Sequence, residues 1–178
     1  MRLKLYELEI ERAEGTVRGH IVAANEKKAV AMVVDHDLAL DVKHLSFSLK
    51  RVDTKLPDDR QAGLEPMLSA PINGFASYLQ TIGWIVNWQV SQRLRFFKVF
   101  TPQGEVTRIV AVDEDEAADI YCNSYVLHDG EHQLFKIVDG LPELPPEHRE
   151  GLASILEFGP RGVAIFDPKS GWSILPRA

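Results

Sequence analysis

The stretch IVAVDEDEAADIYC, residues 109–122, repeats the pattern of IVAANEKKAVAMVV, residues 21–34, at an offset of 88 positions. The same offset aligns further identical residues as far as Trp84 and Trp172, each of which follows a glycine. One offset that holds without a gap over such a span is rarely produced by chance. The sequence therefore predicts that one folding unit occurs twice in the chain.

The chain length agrees with two small units, because 178 residues can form one large domain or two small ones. We predict a first α+β repeat at residues 1–90 and a second α+β repeat at residues 91–178. No linker rich in Pro, Gly or Ser separates them, and the junction IVNWQV, residues 85–90, is apolar. This junction favours two pseudo-twofold-related copies that pack together over two domains that move freely.

Hydrophobic periodicity predicts the order of elements in each copy. Alternating apolar residues indicate strands and a spacing of three and four indicates helices, which gives the order β-β-α-β-α-β-β in both halves. The fold class is thus α+β, as a tandem duplication of this unit. Asn25 and Asp113 are predicted to cap the first helix of each copy. The predicted buried faces are Ala29, Met32, Val33 and His36 in the first copy, and Ala117, Ile120, Tyr121 and Ser124 in the second.

The second predicted helix differs between the copies, because Pro66 stands where the second copy has Ser154. A proline inside a helix removes a hydrogen bond and clashes with the preceding turn, at about 3 kcal/mol. We therefore expect this helix to be shorter, broken or shifted in the first copy.

Composition excludes some classes of function. The net charge of −6 and the pI of about 5.5 argue against a general affinity for nucleic-acid phosphates. The single cysteine, Cys122, excludes an intrachain disulfide, and we expect it to be a buried structural thiol. The sequence contains neither a signal-peptide pattern nor an apolar run of about 20 residues, which predicts a cytoplasmic protein that does not bind membranes.

Among six histidines, only His44 and His132 occupy equivalent positions. Two such residues could converge and hold a divalent ion. The favoured interpretation is that each begins the third strand of its copy at the surface, hydrogen-bonded to water or a carbonyl group. The His-Glu-x-x-His and Cys-x-x-Cys spacings of metal sites are absent from the sequence. We therefore expect no metal and no cofactor.

Motifs of nucleophilic catalysis and of phosphate binding are also absent from the sequence. This absence favours a non-enzymatic protein but leaves an alternative open, because active sites assemble from distant residues. The alternative is a small hydrolase-like or metal-dependent enzyme with its site between the repeats.

A second alternative concerns the segment from Arg93 to Lys98, which interleaves basic and aromatic residues. On a strand, Arg93, Arg95 and Phe97 share one face, where they could contact phosphates and stack a base of single-stranded nucleic acid. The competing interpretation is that this alternation solvates one side of a central strand.

The two equivalent tryptophans could anchor their hairpins or contact a ligand or partner. We predict a non-catalytic binding or accessory protein that recognises a partner protein, with a homodimer as the other association that this prediction allows. Recognition would use the surface or groove formed by the two duplicated units. The candidate partner-binding residues are Trp84, Trp172, His44, His132, Arg93 and Arg95.

Overall fold

The computed structural model describes residues 2–79, 82–87, 92–124, 134–149 and 151–176. The chain divides into two compact units. Unit 1 comprises residues 1–92 together with 157–159, and unit 2 comprises residues 93–156 together with 160–178. Both units combine a wholly antiparallel sheet with helices, so the fold class is α+β, as the sequence predicts.

Unit 1 is built on one five-stranded sheet with the strand order β3-β1-β2-β4-β5. Its elements, in chain order, are β1 (Lys4–Arg12), β2 (Gly15–Ala23), α1 (Glu26–Leu40), β3 (Ser46–Arg51), α2 (Asp58–Gln61), α3 (Leu64–Ser69), β4 (Gly74–Leu79) and β5 (Gly83–Asn87). The hairpin of β1 and β2 is the centre of this sheet, and β3 and β5 are its edges.

Unit 2 repeats this element order and, strand for strand, this sheet order, as β8-β6-β7-β9-β10. Its elements are β6 (Arg95–Phe100), β7 (Val106–Ala111), α4 (Glu114–Ser124), β8 (Lys136–Asp139), α5 (Pro146–Arg149), α6 (Leu152–Phe158), β9 (Gly162–Asp167) and β10 (Gly171–Pro176). The last two residues of α6, Glu157 and Phe158, belong to unit 1.

Each sheet has an apolar core on both faces, because alternate strand residues point to opposite sides. In unit 1, Ile21 packs with the residues of α1 on one face, and its neighbour Val22 packs with those of α3 on the other. The equivalent residues Ile109 and Val110 divide in the same way between the two cores of unit 2. Each unit therefore has three layers, with the sheet between its long helix and its short helices.

The long helices begin where the sequence predicts. Asn25 accepts a hydrogen bond from the Lys28 N–H at 2.9 Å, and Asp113 accepts one from the Glu116 N–H at 2.8 Å. Two predicted burials on α4 are wrong, because Ser124 and Cys122 are exposed. The helix buries a face too narrow to include them, which consists of Ala117, Ile120 and Tyr121.

The predicted second helix is two short helices in both units, not only in the first. The break falls at Gly63 and at Gly151, whose φ angles of 77° and 76° are left-handed and end a right-handed helix. Pro66 does not cause the break. It lies in the first turn of α3, where its missing N–H would have had no acceptor within the helix.

Among the described residues, no helix is long and apolar enough to cross a lipid bilayer.

Candidate functional site

A buried arginine lies at the end of β1. Arg12 is only 7% exposed, although a buried guanidinium is costly unless carboxylates pair with it. Its Nη2 donates to Asp37 Oδ1 at 2.7 Å, and the same nitrogen donates to Glu157 Oε1. Its Nε also lies 3.1 Å from Glu157 Oε1. One guanidinium thus joins Asp37 to Glu157, both of which belong to unit 1.

Two histidines extend this network. His36 Nε2 lies 3.3 Å from Glu157 Oε1, and the His36 ring is in contact with the rings of Phe75 and Phe158. His44 Nδ1 lies 2.5 Å from Asp37 Oδ2 and its side chain is 32% exposed. We call Arg12, His36, Asp37, His44 and Glu157 the Arg12 cluster, of which His44 is the member that reaches solvent.

The network keeps both carboxylates ionised. Burial alone would raise the pKa of Asp37, but hydrogen bonds from Arg12 and His44 outweigh it and lower that pKa. Burial likewise opposes ionisation of Glu157, whose pKa is lowered by hydrogen bonds from His36 and Arg12. The Arg12 cluster is therefore a buried ion network in which cationic and polar donors hold two negative charges.

The Arg12 cluster is confined to unit 1. The positions equivalent to Arg12, His36 and Glu157 carry Phe100, Ser124 and Ser69. Among the described residues, two buried nitrogens of the cluster, Arg12 Nη1 and His36 Nδ1, have no hydrogen-bond partner. Such atoms cost about 1–3 kcal/mol each. Replacing all the charged members of the cluster together by well-packed hydrophobic residues would avoid this cost, so stability alone does not account for the cluster.

His36, Asp37 and Glu157 also form a group of potential metal ligands, with one ligand atom from each within 4.8 Å of the others. Arg12 already supplies a positive charge to both carboxylates. A divalent ion would have to displace this guanidinium or be repelled by it. The geometry fits an ion network better than a metal site.

Beside the Arg12 cluster, unit 1 exposes large apolar side chains. Val34 and Leu38, one helical turn apart on α1, are 41% and 75% exposed, and Leu45 is 75% exposed. Leu45 follows His44, and His44 is bonded to the residue that precedes Leu38. We call Val34, Leu38 and Leu45 the α1–Leu45 surface, in which the hydrogen bond between Asp37 and His44 ties the segment before Leu45 to α1.

Of the predicted site residues that the structure describes, only His44 belongs to the Arg12 cluster. It lies two residues before β3, and its hydrogen-bond partner is a carboxylate rather than water or a carbonyl group. His132 lies outside the described residues. The third strand thus begins two residues later than predicted, at Ser46 and not at His44.

Arg93 and Arg95 belong to unit 2 and are exposed. Arg95 lies 3.4 Å from Asp139 and stacks over the ring of Phe97, at 4.9 Å from its centroid. The prediction that Phe97 shares an accessible face with the arginines is wrong, because Phe97 is 0% exposed and packs in the core under α4. Its ring therefore cannot stack a base.

Trp84 and Trp172 make the same contact in each unit. Trp84 Nε1 donates to the carbonyl oxygen of Arg60 at 2.7 Å, and Trp172 Nε1 donates to that of His148 at 2.5 Å. The two acceptors are themselves equivalent at the offset of 88 positions. Each tryptophan thereby holds the first short helix of its unit against the last strand.

Replacing either tryptophan with phenylalanine should destabilise the protein by similar amounts, about 1–2 kcal/mol for the lost hydrogen bond. Urea denaturation of Trp84→Phe and Trp172→Phe measures this. Tyr78→Phe is the control, because the Tyr78 hydroxyl donates to the Asp59 carbonyl oxygen at an exposed position. A loss in only one tryptophan variant would show that the two contacts are not equivalent.

The fold and the site define an α+β protein in which one of two like-ordered units carries a buried ion network and, next to its members in sequence, exposed apolar side chains. No family model, curated protein or solved structure matches this chain.

Proposed function

We propose that the protein is a non-catalytic binding or accessory protein that recognises a partner protein in the cytoplasm. The observation that carries this proposal is the α1–Leu45 surface. Leu38 follows Asp37 in sequence, Leu45 follows His44, and each leucine is 75% exposed. Asp37 and His44 are hydrogen-bonded to each other. Groups of exposed apolar side chains mark interaction surfaces. Because the hydrogen bond from His44 to Asp37 already holds the segment before Leu45, this segment would lose less conformational entropy when a partner binds.

The history of the chain forms part of this proposal. One unit was duplicated, and the copies then diverged, with the recognition surface in unit 1. Three observations support duplication: the common offset, the equal strand order and the equivalent tryptophan contacts. The groove that the sequence predicts between the copies stays a prediction.

Substitution of the α1–Leu45 surface should abolish partner binding without unfolding the protein. In Leu38→Asp/Leu45→Asp, two charges would have to be buried against the partner, and we expect at least a thirtyfold loss of affinity, about 2 kcal/mol. The measurement is affinity purification from the native host, followed by titration of the species that wild type retains.

Leu134→Asp is the matched control, because Leu134 is 80% exposed and belongs to unit 2. It should retain the species that wild type retains. Equal urea midpoints for the three proteins would show that folding is unchanged. Equal retention by all three proteins would contradict the proposal.

A hydrolase-like enzyme is the second candidate, and one observation favours it. Asp37 holds His44 through Nδ1, which is how a carboxylate orients a general base. This candidate ranks second because, among the described residues, no serine, threonine or cysteine side chain is hydrogen-bonded to His44. If the protein hydrolyses ester substrates and His44→Gln loses this activity, the hydrolase-like function would be favoured over partner binding.

Single-stranded nucleic-acid binding through residues 93–98 receives less support. The two aromatic residues of this segment, Phe96 and Phe97, are 1% and 0% exposed, and the net charge is −6. Phosphate contacts by Arg93 and Arg95 are what remains of this alternative.

A further inference from the structure

The last two residues of α6 contact the rest of unit 1 through three different groups. The Glu157 carboxylate accepts hydrogen bonds from Arg12. The Phe158 ring stacks on that of Phe75, with centroids 5.0 Å apart. The Phe158 carbonyl oxygen accepts a hydrogen bond from Asn87 Nδ2 at 3.0 Å. A charge, a ring and a main-chain group are thus each held by a different side chain, which is how proteins hold a bound peptide.

Gly19 leaves room for the Phe158 ring. A Cβ atom at Gly19 would lie 2.8 Å from Phe158 Cδ2, which is too close unless the ring moves. The same ring contacts the ring of His36, with centroids 5.2 Å apart. Glycine is the usual residue where a backbone approaches a ligand closely. We call the residues that hold this pair the Phe158 site, which consists of Arg12, Gly19, His36, Phe75 and Asn87.

The Phe158 site is specific to unit 1. At the offset of 88 positions, its residues correspond to Phe100, Thr107, Ser124, Val163 and Leu175. Glu157 and Phe158 themselves correspond to Ser69 and Ala70, which carry neither a charge nor a ring. Unit 2 has the same order of strands and consists of residues 93–156 and 160–178 only. The fold that the two units share therefore forms without a pair like Glu157 and Phe158.

The pair of Glu157 and Phe158 leaves two nitrogens of the Phe158 site unused. Arg12 and His36 are 7% and 3% exposed, and among the described residues Arg12 Nη1 and His36 Nδ1 have no hydrogen-bond partner. A buried polar atom without a partner is unfavourable, and a bound segment that offers one further polar group would remove part of that cost. The Phe158 site can therefore accept a better ligand than the pair that occupies it.

The Phe158 site is connected to the α1–Leu45 surface. Arg12 Nη2 also donates to Asp37 Oδ1, at 2.7 Å, and Asp37 is hydrogen-bonded to His44. Leu38 follows Asp37 and Leu45 follows His44 in sequence. A partner that contacts these two leucines therefore lies next to residues that are linked by hydrogen bonds to Arg12.

We propose that the Phe158 site is a peptide-binding site, that Glu157 and Phe158 occupy it as an internal ligand, and that an acidic residue followed by an aromatic residue of the partner protein replaces them. Arg12 binds the partner's carboxylate, and Phe75 and Gly19 accommodate its ring. The internal pair competes with the partner, because residues of the same chain are present at a high effective concentration. This inference rests on the proposed function and specifies the motif that is recognised.

Synthetic peptides test the proposal on the full chain. The peptide acetyl-Ile-Leu-Glu-Phe-Gly-amide, which copies residues 155–159, should raise the Tm of Glu157→Ala/Phe158→Ala by about 5 °C or more at saturation, because it binds the folded state. A variant that is partly unfolded should be refolded by the same linkage. Wild type, whose site is filled, should shift by less than about 1 °C. The control peptide acetyl-Met-Leu-Ser-Ala-Pro-amide copies the equivalent residues 67–71 and should have no effect.

Partner binding by full-length variants completes the test. Glu157→Gln weakens the internal ligand and should bind the retained partner about threefold to tenfold more tightly than wild type, a gain that a purely structural role of Glu157 does not give. Glu65→Gln, the same change at an exposed position of unit 1, should leave the Kd unchanged.

Equal shifts with the two peptides, no shift with either, or no gain in Glu157→Gln would overturn the internal ligand. Retention of this chain alone would also overturn it, because the occupant would then be a second copy and not a partner protein. If the peptides fail but Leu38→Asp/Leu45→Asp still abolishes partner retention, the internal ligand is wrong and the proposed function stands.

Discussion

Replacing Arg12 with methionine is expected to lower the free energy of unfolding by about 3–5 kcal/mol at pH 7. The variant leaves Asp37 and Glu157, whose side chains are 8% and 6% exposed, buried without their shared cation. Urea denaturation measures the loss. Arg2→Met is the control, because the Arg2–Glu65 pair is exposed and should contribute at most about 1 kcal/mol.

The loss of unfolding free energy caused by Arg12→Met should become smaller as the pH is lowered. In wild type, the lowered pKa values of Asp37 and Glu157 stabilise the fold above their ordinary values of 3.8 and 4.5, and this contribution disappears as pH falls through the lower folded values. Without Arg12, burial opposes ionisation and favours the protonated carboxyls. A deficit as large at pH 4.5 as at pH 7 would show that Arg12 does not act through charge.

The second large effect is expected at Phe158, which is 2% exposed and stacks on Phe75 with centroids 5.0 Å apart. Phe158→Ala should cost about 3–5 kcal/mol, because it removes a buried ring and leaves a cavity beside His36. Thermal or urea unfolding measures this loss. Phe100→Ala is a suitable control, because Phe100 is an only partly buried phenylalanine of unit 2.

A double-variant cycle with Gly19 sharpens this prediction. A Cβ at Gly19 would lie 2.8 Å from Phe158 Cδ2, so Gly19→Ala alone should cost about 1–3 kcal/mol by overpacking. In the Phe158→Ala background the added methyl group enters the cavity, and the combined loss should be smaller than the sum. Additive losses would contradict the close approach of these two residues.

Much of the fold could be predicted from residue patterns. Alternation in β1 and the periodicity of α1 specify which side chains are buried, and the offset of 88 positions extends both patterns to unit 2. The break in the second helix does not follow from Pro66, which lies within α3 and not between the two short helices. Gly63 and Gly151 are equivalent and both left-handed, so the glycines were the stronger signal.

The Arg12 cluster was harder to predict from the sequence than the fold. One local signal was available, because Arg12 follows Leu8 and Ile10 on the buried side of β1, where an arginine must find partners. Its partner Glu157 is 145 positions away, and no periodicity links residues at that separation. In the sequence, His44 stands out only through its equivalence with His132, whereas its hydrogen-bond partner in the structure is Asp37.

The central claim is that a protein partner binds unit 1 at the α1–Leu45 surface, and site-specific photocrosslinking tests it most directly. A benzophenone amino acid in place of Leu38 or Leu45 should give a covalent adduct with the retained species on irradiation, and the same group in place of Leu134 should give none. Equal adducts at all three positions, or adducts at Leu134 alone, would contradict the claim.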